Sequence, residues 1–445
     1  MTSATADIPT QSTADVPVPA VAGRALRVPL VTGGSTEYAN LDHAASAPCL
    51  DSVREAVDEL LPWYASVHRG AGLASQVCTR VYEGARQVLR DFVGARRTDS
   101  VVFTRNTTDA LNLLARALPR GTSVVVPETE HHAALLPWSG PRVRRIAAPA
   151  SPADAVAALD AALAECPEGP RLAVISGASN VTGELWPVAE LARVARRHGA
   201  RTVLDAAQLA PHRPVRMTEL DVDHVALSGH KLYAPFGAGA LVGRADWLNA
   251  AEPHLAGGGA TRRVTERAVS WTTGPERHEA GSPNTVGVHA LAEACRTLGA
   301  RWADVVAHEE ALLRRLRAGL RGVPGLRELC LFDADHERVG VVSFTVDGQD
   351  PGLLAAALSA EHGIGVRDGL FCAHLATRRL LSRAGSGAER ALRASIGLGT
   401  TAEHVDRLVS ALRTLVAEGP AWRYEQVDGR WVPVDDPRPL PDFLR

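Results

Sequence analysis

The chain has 445 residues, is 46% hydrophobic and carries a formal charge of −2. That is enough apolar material for two cored domains, and no charge excess that would call for a nucleic-acid or membrane partner. No apolar run approaches the ~20 residues of a membrane span, and six cysteines without C-x-x-C spacing argue against a disulfide scaffold or a zinc site and fit a reduced, cytoplasmic setting.

The first 22 residues are rich in Thr, Ser, Ala and Pro and lack the charged start and apolar middle of a signal peptide. An arm over residues 1–37, disordered in part, is expected. A small-residue turn from Leu41 to Pro48 leads into a helix from Asp51, with Val53, Val57, Leu60 and Leu61 on one face and Pro62 as its stop. A glycine-bearing loop, residues 67–72, precedes a second helix whose apolar face is expected to carry Val77, Val81, Val88 and Phe92, with Gly94 ending it. Apolar strands then alternate with helices: strands at 101–103, 123–126, 171–176, 202–204 and 224–227, and helices at 109–117 and 188–198. That order predicts an α/β fold with a mainly parallel sheet in a large domain over 38–300. A smaller C-terminal α/β domain is expected over 301–418. It starts with a helix at 301–321 and continues with a strand at 339–346, a helix at 353–362 and a strand at 391–398, and the spacing Thr400-x-x-Glu403 reads as a capping box for the last helix. Residues 419–445 read as an extended surface tail.

One residue stands out within this order. Lys231 is the sole lysine among 48 basic residues. An arginine bias spares a lysine only where arginine fails, and arginine cannot become the neutral amine that attacks a carbonyl carbon. Lys231 follows a buried strand and the turn Ser228-Gly229-His230, as an imine-forming lysine beside an anion pocket would. In parallel sheets, ligands bind beyond the carboxyl ends of the strands. The other polar groups fall there too. Asn106-Thr107-Thr108-Asp109 opens a helix and offers hydroxyls and free N–H groups to an anion, although Thr and Asp also serve as ordinary caps. Asp205 ends a strand, with Gln208 three residues on. Beside a lysine imine such a carboxylate can keep a heterocyclic nitrogen protonated. His131 can stack on a flat ring. Paired with His132 in an extended stretch it points the other way, which argues against a two-histidine metal site.

These residues resemble a known family. Asn106-Thr-Thr, Glu130-His-His-Ala, Ser179-Asn-Val-x-Gly, Asp205-Ala-Ala-Gln208 and Ser228-Gly-His-Lys231 are similar to class V aminotransferase-like pyridoxal-phosphate enzymes of fold type I. Within that group the closest likeness is to the Suf-type cysteine desulfurases and selenocysteine lyases, over about residues 38 to 415. The resemblance implies that Lys231 bonds the cofactor and moves the α-proton. It gives Asp205 the pyridinium nitrogen, Gln208 the ring hydroxyl and His131 the stack on the ring, with Thr107, Thr108, Ser228 and His230 at the phosphate. Asn180, Arg367 and Arg393 would meet the substrate with His68, and Arg393 would clamp its carboxylate. Ser282 would reach the cofactor of a second subunit, which implies a homodimer. Cys372 would take the sulfur of L-cysteine as a persulfide, release L-alanine and pass the sulfur to an acceptor protein. No metal is implied. The loop Gly369-Leu370-Phe371-Cys372-Ala373-His374-Leu375 is more apolar than the family's usual x-Gly-His-His-Cys-Ala-x-Pro. That departure keeps open another reaction of the same class on another amino acid: selenocysteine lyase, aminotransferase, epimerase or C–S lyase.

Overall fold

The computed structural model describes residues 17–444. Residues 1–16 of the expected arm lie outside them, whereas residues 17–37 are described and include paired strands. Among the described residues, seven strands form the larger sheet: β1 (Ser100–Thr104), β2 (Ser123–Pro127), β3 (Val143–Ile146), β4 (Arg171–Ser176), β5 (Arg201–Asp205), β6 (His224–Ser228) and β7 (Gly239–Gly243). Their order is β1-β7-β6-β5-β4-β2-β3. β3, β2, β4, β5 and β6 pair in parallel, and β7 runs antiparallel between β6 and β1. The inner strands have buried, largely apolar interiors because helices cover both faces, while the edge strand β3, Val-Arg-Arg-Ile, is only half-buried. Their side chains alternate between two cores: Val101, Phe103, Val125, Ile175, Leu204 and Val225 face one, and Val102, Val124, Val126, Val174, Val203 and Ala226 face the other. β7 does not stand out in the sequence, because its glycines at both ends weaken a strand pattern. Gly239 is required by its neighbours. A Cβ there would sit 2.5 Å from the Leu227 carbonyl oxygen and 2.7 Å from Asn106 Cα, so the glycine lets the Asn106 loop close onto the end of β6.

A second sheet of four antiparallel strands has the order β8 (Leu326–Glu328), β9 (Val341–Val346), β11 (Ala391–Ser395), β10 (Arg367–Gly369). The helices Trp302–Arg321, Pro351–His362 and Ala402–Glu418 pack on it around Leu316, Phe344, Leu358, Leu392 and Leu412. Residues 39–42 tie the amino-terminal stretch to this sheet: Ala39–Asn40 pairs in parallel with Ile364–Gly365, and Ser395 N–H donates to the Leu41 carbonyl. Before it, Arg27–Pro29 and Ser35–Glu37 form a hairpin.

Several elements differ from their sequence expectation for tertiary reasons. Leu61 is 51% exposed and begins a 3-10 turn instead of completing the Asp51–Leu60 face. The helix Leu73–Phe92 buries Phe92 as expected, together with Ser75, Cys78, Tyr82, Ala85, Arg86 and Leu89, while Val77, Val81 and Val88 lie on its flank. Its buried face can hold Arg86 because Glu279 meets the guanidinium with two bonds, at 2.6 and 2.8 Å. The capping box falls one residue on: Thr401 accepts from His404 N–H, and His404 Nδ1 accepts from Thr401 N–H. The C-terminal stretch is not simply extended. Tyr424–Val427 and Arg430–Pro433 form a hairpin whose base is fixed by the Glu361 carboxylate, which accepts from Ala421 N–H, Trp422 N–H and the Tyr424 hydroxyl. Among the described residues no helix is long and apolar enough to cross a membrane.

Candidate active site

The carboxyl ends of β2, β4, β5 and β6 and the helix start after β1 converge on a cavity of about 150 Å³, closed on its far side by Arg367, Phe371 and Arg393 of the smaller sheet's region. Asn106 caps the helix Thr107–Ala117 by accepting from Asp109 N–H at 3.0 Å. Ser228, at the end of β6, accepts from Thr107 N–H at 2.9 Å and donates to the Thr107 hydroxyl at 3.0 Å. Thr107, Thr108, Ser228 and His230 all line this end of the cavity, where a helix amino terminus offers its dipole to an anion.

Lys231 opens into the middle. Burial lowers its pKa to about 8; Asp205 opposes that shift, while Arg393 and Arg367 add to it. Asp205 ends β5 and accepts from Ala207 N–H at 2.9 Å. Its own pKa is raised by burial, against the Ala207 bond and the charge of Lys231. Gln208 places Oε1 3.4 Å from Lys231 Nζ. His131 follows β2 and accepts from Ala133 N–H on Nδ1 at 3.0 Å, so the ring proton sits on Nε2. Burial, with the charge of Lys231 next, pushes its pKa down to about 3 and keeps the ring neutral. His132 turns away, as the extended backbone requires, and meets the His374 ring edge-on with centroids 4.5 Å apart.

Asn180 and the two arginines form the far wall. Arg393 is 1% exposed. It donates to the Asn180 carbonyl and to Asp42 Oδ1, each at 3.0 Å, and its guanidinium lies 5.1 Å from the Phe371 ring centroid. Its Nε is buried with no hydrogen-bond partner among the described residues. Cys372 does not line the cavity but adjoins it, with Sγ 3.8 Å from Arg367 Nη2. The backbone beneath it is left-handed at two successive non-glycine residues, Phe371 at φ +52° and Cys372 at φ +53°, a conformation that must be held in place. Two bonds hold it: Asn180 Nδ2 donates to the Phe371 carbonyl at 2.8 Å, and His132 N–H to the Cys372 carbonyl at 2.7 Å. On its outer side the same loop borders a surface hollow with His374, Arg378 and Arg390.

Thus Lys231, His131, Thr107, Thr108, Asn180, Asp205, Gln208, Ser228, His230, Arg367 and Arg393 come together around one cavity. His68 and Ser282 do not line it. His68 faces Glu83 at 3.1 Å, and Ser282 lies in a separate hollow with Leu255 and Asn284. Sequence reasoning missed Asp42, which holds Arg393 across 351 positions, and the role of Phe371 in the cavity wall. It also gave no role to Glu130, which is buried with its pKa raised to about 8 by desolvation, against the bond from the Ser176 hydroxyl at 2.6 Å. Nothing local marks Asp42. Glu130 was signalled only by its place beside His131.

The described geometry has known counterparts. Residues 39–408 match the family model described as Aminotransferase class-V. A probable cysteine desulfurase of Mycolicibacterium paratuberculosis is 35% identical, over 82% of this chain but 54% of that protein's length. A cysteine desulfurase of Dickeya dadantii is 36% identical over 85% of this chain and 92% of its own. Among solved structures, the apo cysteine desulfurase of Thermococcus onnurineus superposes with a TM-score of 0.77 at 32% identity, covering 86% of this chain and 95% of that one. An Escherichia coli cysteine desulfurase solved with an S-sulfonic acid gives 0.74 at 30% identity, over 85% and 95%.

Proposed function

Because the chain belongs to the class V aminotransferase family, we propose that it is a pyridoxal-phosphate-dependent cysteine desulfurase, converting L-cysteine to L-alanine with a persulfide on Cys372. The observation that carries the reading is one buried amine, Lys231, with its pKa lowered to about 8, in a cavity that also holds a cysteine-bearing loop and two arginines.

The residues fit the cofactor. Its phosphate suits the helix start at Thr107 and Thr108 with Ser228 and His230, its ring nitrogen suits Asp205, its ring hydroxyl Gln208, and the flat neutral His131 suits its face. When bound, pyridoxal phosphate supplies an aldehyde for linkage to an amine and a ring that takes up electron density. Lys231, as a free amine above about pH 8, accepts a proton at Nζ and can return it. Asp205 is raised in pKa by burial, against the Ala207 N–H bond and the charge of Lys231, and a protonated ring nitrogen would be a further positive partner favouring its carboxylate. Arg393 binds a substrate carboxylate through its unpartnered Nε edge, with Arg367 beside it and Asn180 between ring and substrate. Cys372 Sγ then bonds the substrate sulfur as the substrate's carbon–sulfur bond breaks. The electron pair stays with the carbon frame, and the hydrogen lost at sulfur is matched by the one gained at carbon, giving alanine and an enzyme persulfide.

The half-exposed Cys372 loop beside an open hollow supports handing the sulfur to an acceptor protein. We assign His68 and Ser282, remote from this chain's own cavity, to the cavity of a second copy in a homodimer, and the enzyme to the cytoplasm. A second reading, a class V enzyme acting on another amino acid, draws on the Phe371 ring in the cavity wall. The test supplies pyridoxal phosphate, L-cysteine and a reductant, and measures sulfide and alanine. Equimolar products from the wild type, lost in Cys372→Ala, support the desulfurase. No sulfide from a protein that binds the cofactor moves the assignment to the second reading.

A further inference from the structure

Behind the cavity a buried line of side chains runs from Lys231 into the helix layer of the smaller sheet. Gln208 presents Oε1 to Lys231 at 3.4 Å and Nε2 to His212 Nε2 at 3.0 Å. His212 Nδ1 bonds Glu309 Oε2, and Glu309 Oε1 accepts from Arg213 Nη1 at 2.8 Å. Gln208, His212 and Glu309 are all buried. Glu309 belongs to the helix Trp302–Arg321, so the line joins the two sheets' territories across 97 positions. Burial pushes the Glu309 carboxyl up, but His212 and Arg213 outweigh it and hold its pKa below the usual value.

The proton positions follow from donor and acceptor counting. An ionised carboxylate only accepts, so His212 carries a proton on Nδ1, and the Gln208 amide nitrogen, which can only donate, lies 3.0 Å from Nε2 and makes that atom a bare acceptor. An acceptor there demands an N–H from Gln208, and the amide is planar, so its carbonyl oxygen must point the other way, at Lys231. A proton on His212 Nε2 would reverse the amide and set two donors, Nε2 and Nζ, against each other. The other groups facing His212 are Arg213, paired with Glu309, and His43 from residues 42–47, which burial keeps neutral with a pKa near 3.

We propose that His212 and Glu309 are positioning residues: Glu309 fixes the His212 tautomer, and His212 fixes the Gln208 amide so that its carbonyl oxygen faces Lys231. Where this bears on the cofactor it rests on the reading above, but its effect on the lysine needs no cofactor.

Lys231 is the sole lysine, which makes a direct test possible on the full chain without cofactor. The protein is pulsed with an amine-directed anhydride across neutral to alkaline pH, and modification of the Lys231 peptide is followed by mass. The wild-type midpoint is expected near pH 8. A carbonyl acceptor favours the ammonium form, so His212→Phe should lower the midpoint by about half a pH unit. His212→Gln, which returns an acceptor, should restore it, and Glu309→Gln, nearly the same shape without the charge, should lie between. Circular dichroism shows that each variant is folded. Wild-type midpoints in both folded His212→Phe and Glu309→Gln would overturn the proposal. Pyridoxal phosphate is added last. A wild type that develops no visible absorbance band defeats the cofactor reading but leaves the midpoints as a valid test, whereas a normal band with unmoved midpoints defeats the positioning role alone.

Discussion

The two nucleophiles sit in opposite kinds of surroundings. Lys231 follows directly from a buried strand, and its neighbours Asp205, Gln208 and His131 stand on adjoining strand ends. Cys372 stands on a loop with two successive left-handed residues, held by carbonyl bonds from Asn180 and His132 and open to a surface hollow. The lysine's chemistry needs dryness, which lowers its pKa, and a fixed geometry. In the proposed reaction the cysteine would meet a substrate inside and an acceptor outside, which a segment at the boundary can do. On that reading the larger sheet would hold the cofactor, and the smaller sheet's margin would carry the sulfur.

Substitutions should separate the halves. Lys231→Ala is expected to have the largest effect: loss of the cofactor's visible absorbance and a fall in turnover of at least about 1,000-fold. Cys372→Ser should leave that absorbance unchanged and reduce sulfide release from L-cysteine by about 100-fold or more; an equal loss of both would show that the halves are not separate. Arg393→Lys keeps the charge but loses the planar fork that reaches Asn180, Asp42 and the orphan Nε position. The kcat/KM for L-cysteine should fall by roughly 10- to 100-fold, the equivalent of one or two charged hydrogen bonds. Phe371→Ala removes a buried ring from beside Arg393 and frees the loop. Desulfuration should fall about 10-fold in stopped-flow turnover, with cofactor affinity within twofold of wild type.

The same contrast explains what could be read from the sequence. Strands β2, β4, β5 and β6 and the residues at their ends are signalled by apolar runs that stop at polar groups, and the sole lysine marks which end matters. The smaller sheet's contributions were less visible. Arg393 lies within β11, where an internal arginine looks like an outward side chain, and its buried charge is met by Asp42, 351 positions away, and by the Asn180 carbonyl. On Leu73–Phe92 the expected Phe92 is buried, but Val77, Val81 and Val88 fall on the flank for a similar reason, since Arg86 takes a buried position by pairing with Glu279 and Glu83. The left-handed turn at Phe371 and Cys372 has no glycine to announce it. Nor does anything near Gln208 predict that Glu309 governs its orientation. Local pattern reveals elements that form from their own periodicity, while contacts between distant ionised groups emerge only on folding.

The most direct test of the central claim is a single turnover. Protein loaded with pyridoxal phosphate receives one equivalent of L-cysteine without reductant, and the digested peptides are weighed while alanine is counted. The expected result is one alanine per active site, with the Cys372 peptide heavier by one sulfur atom. Alanine with no sulfur added to Cys372, or a keto acid in place of alanine, would contradict the assignment of Cys372 as the sulfur-accepting group.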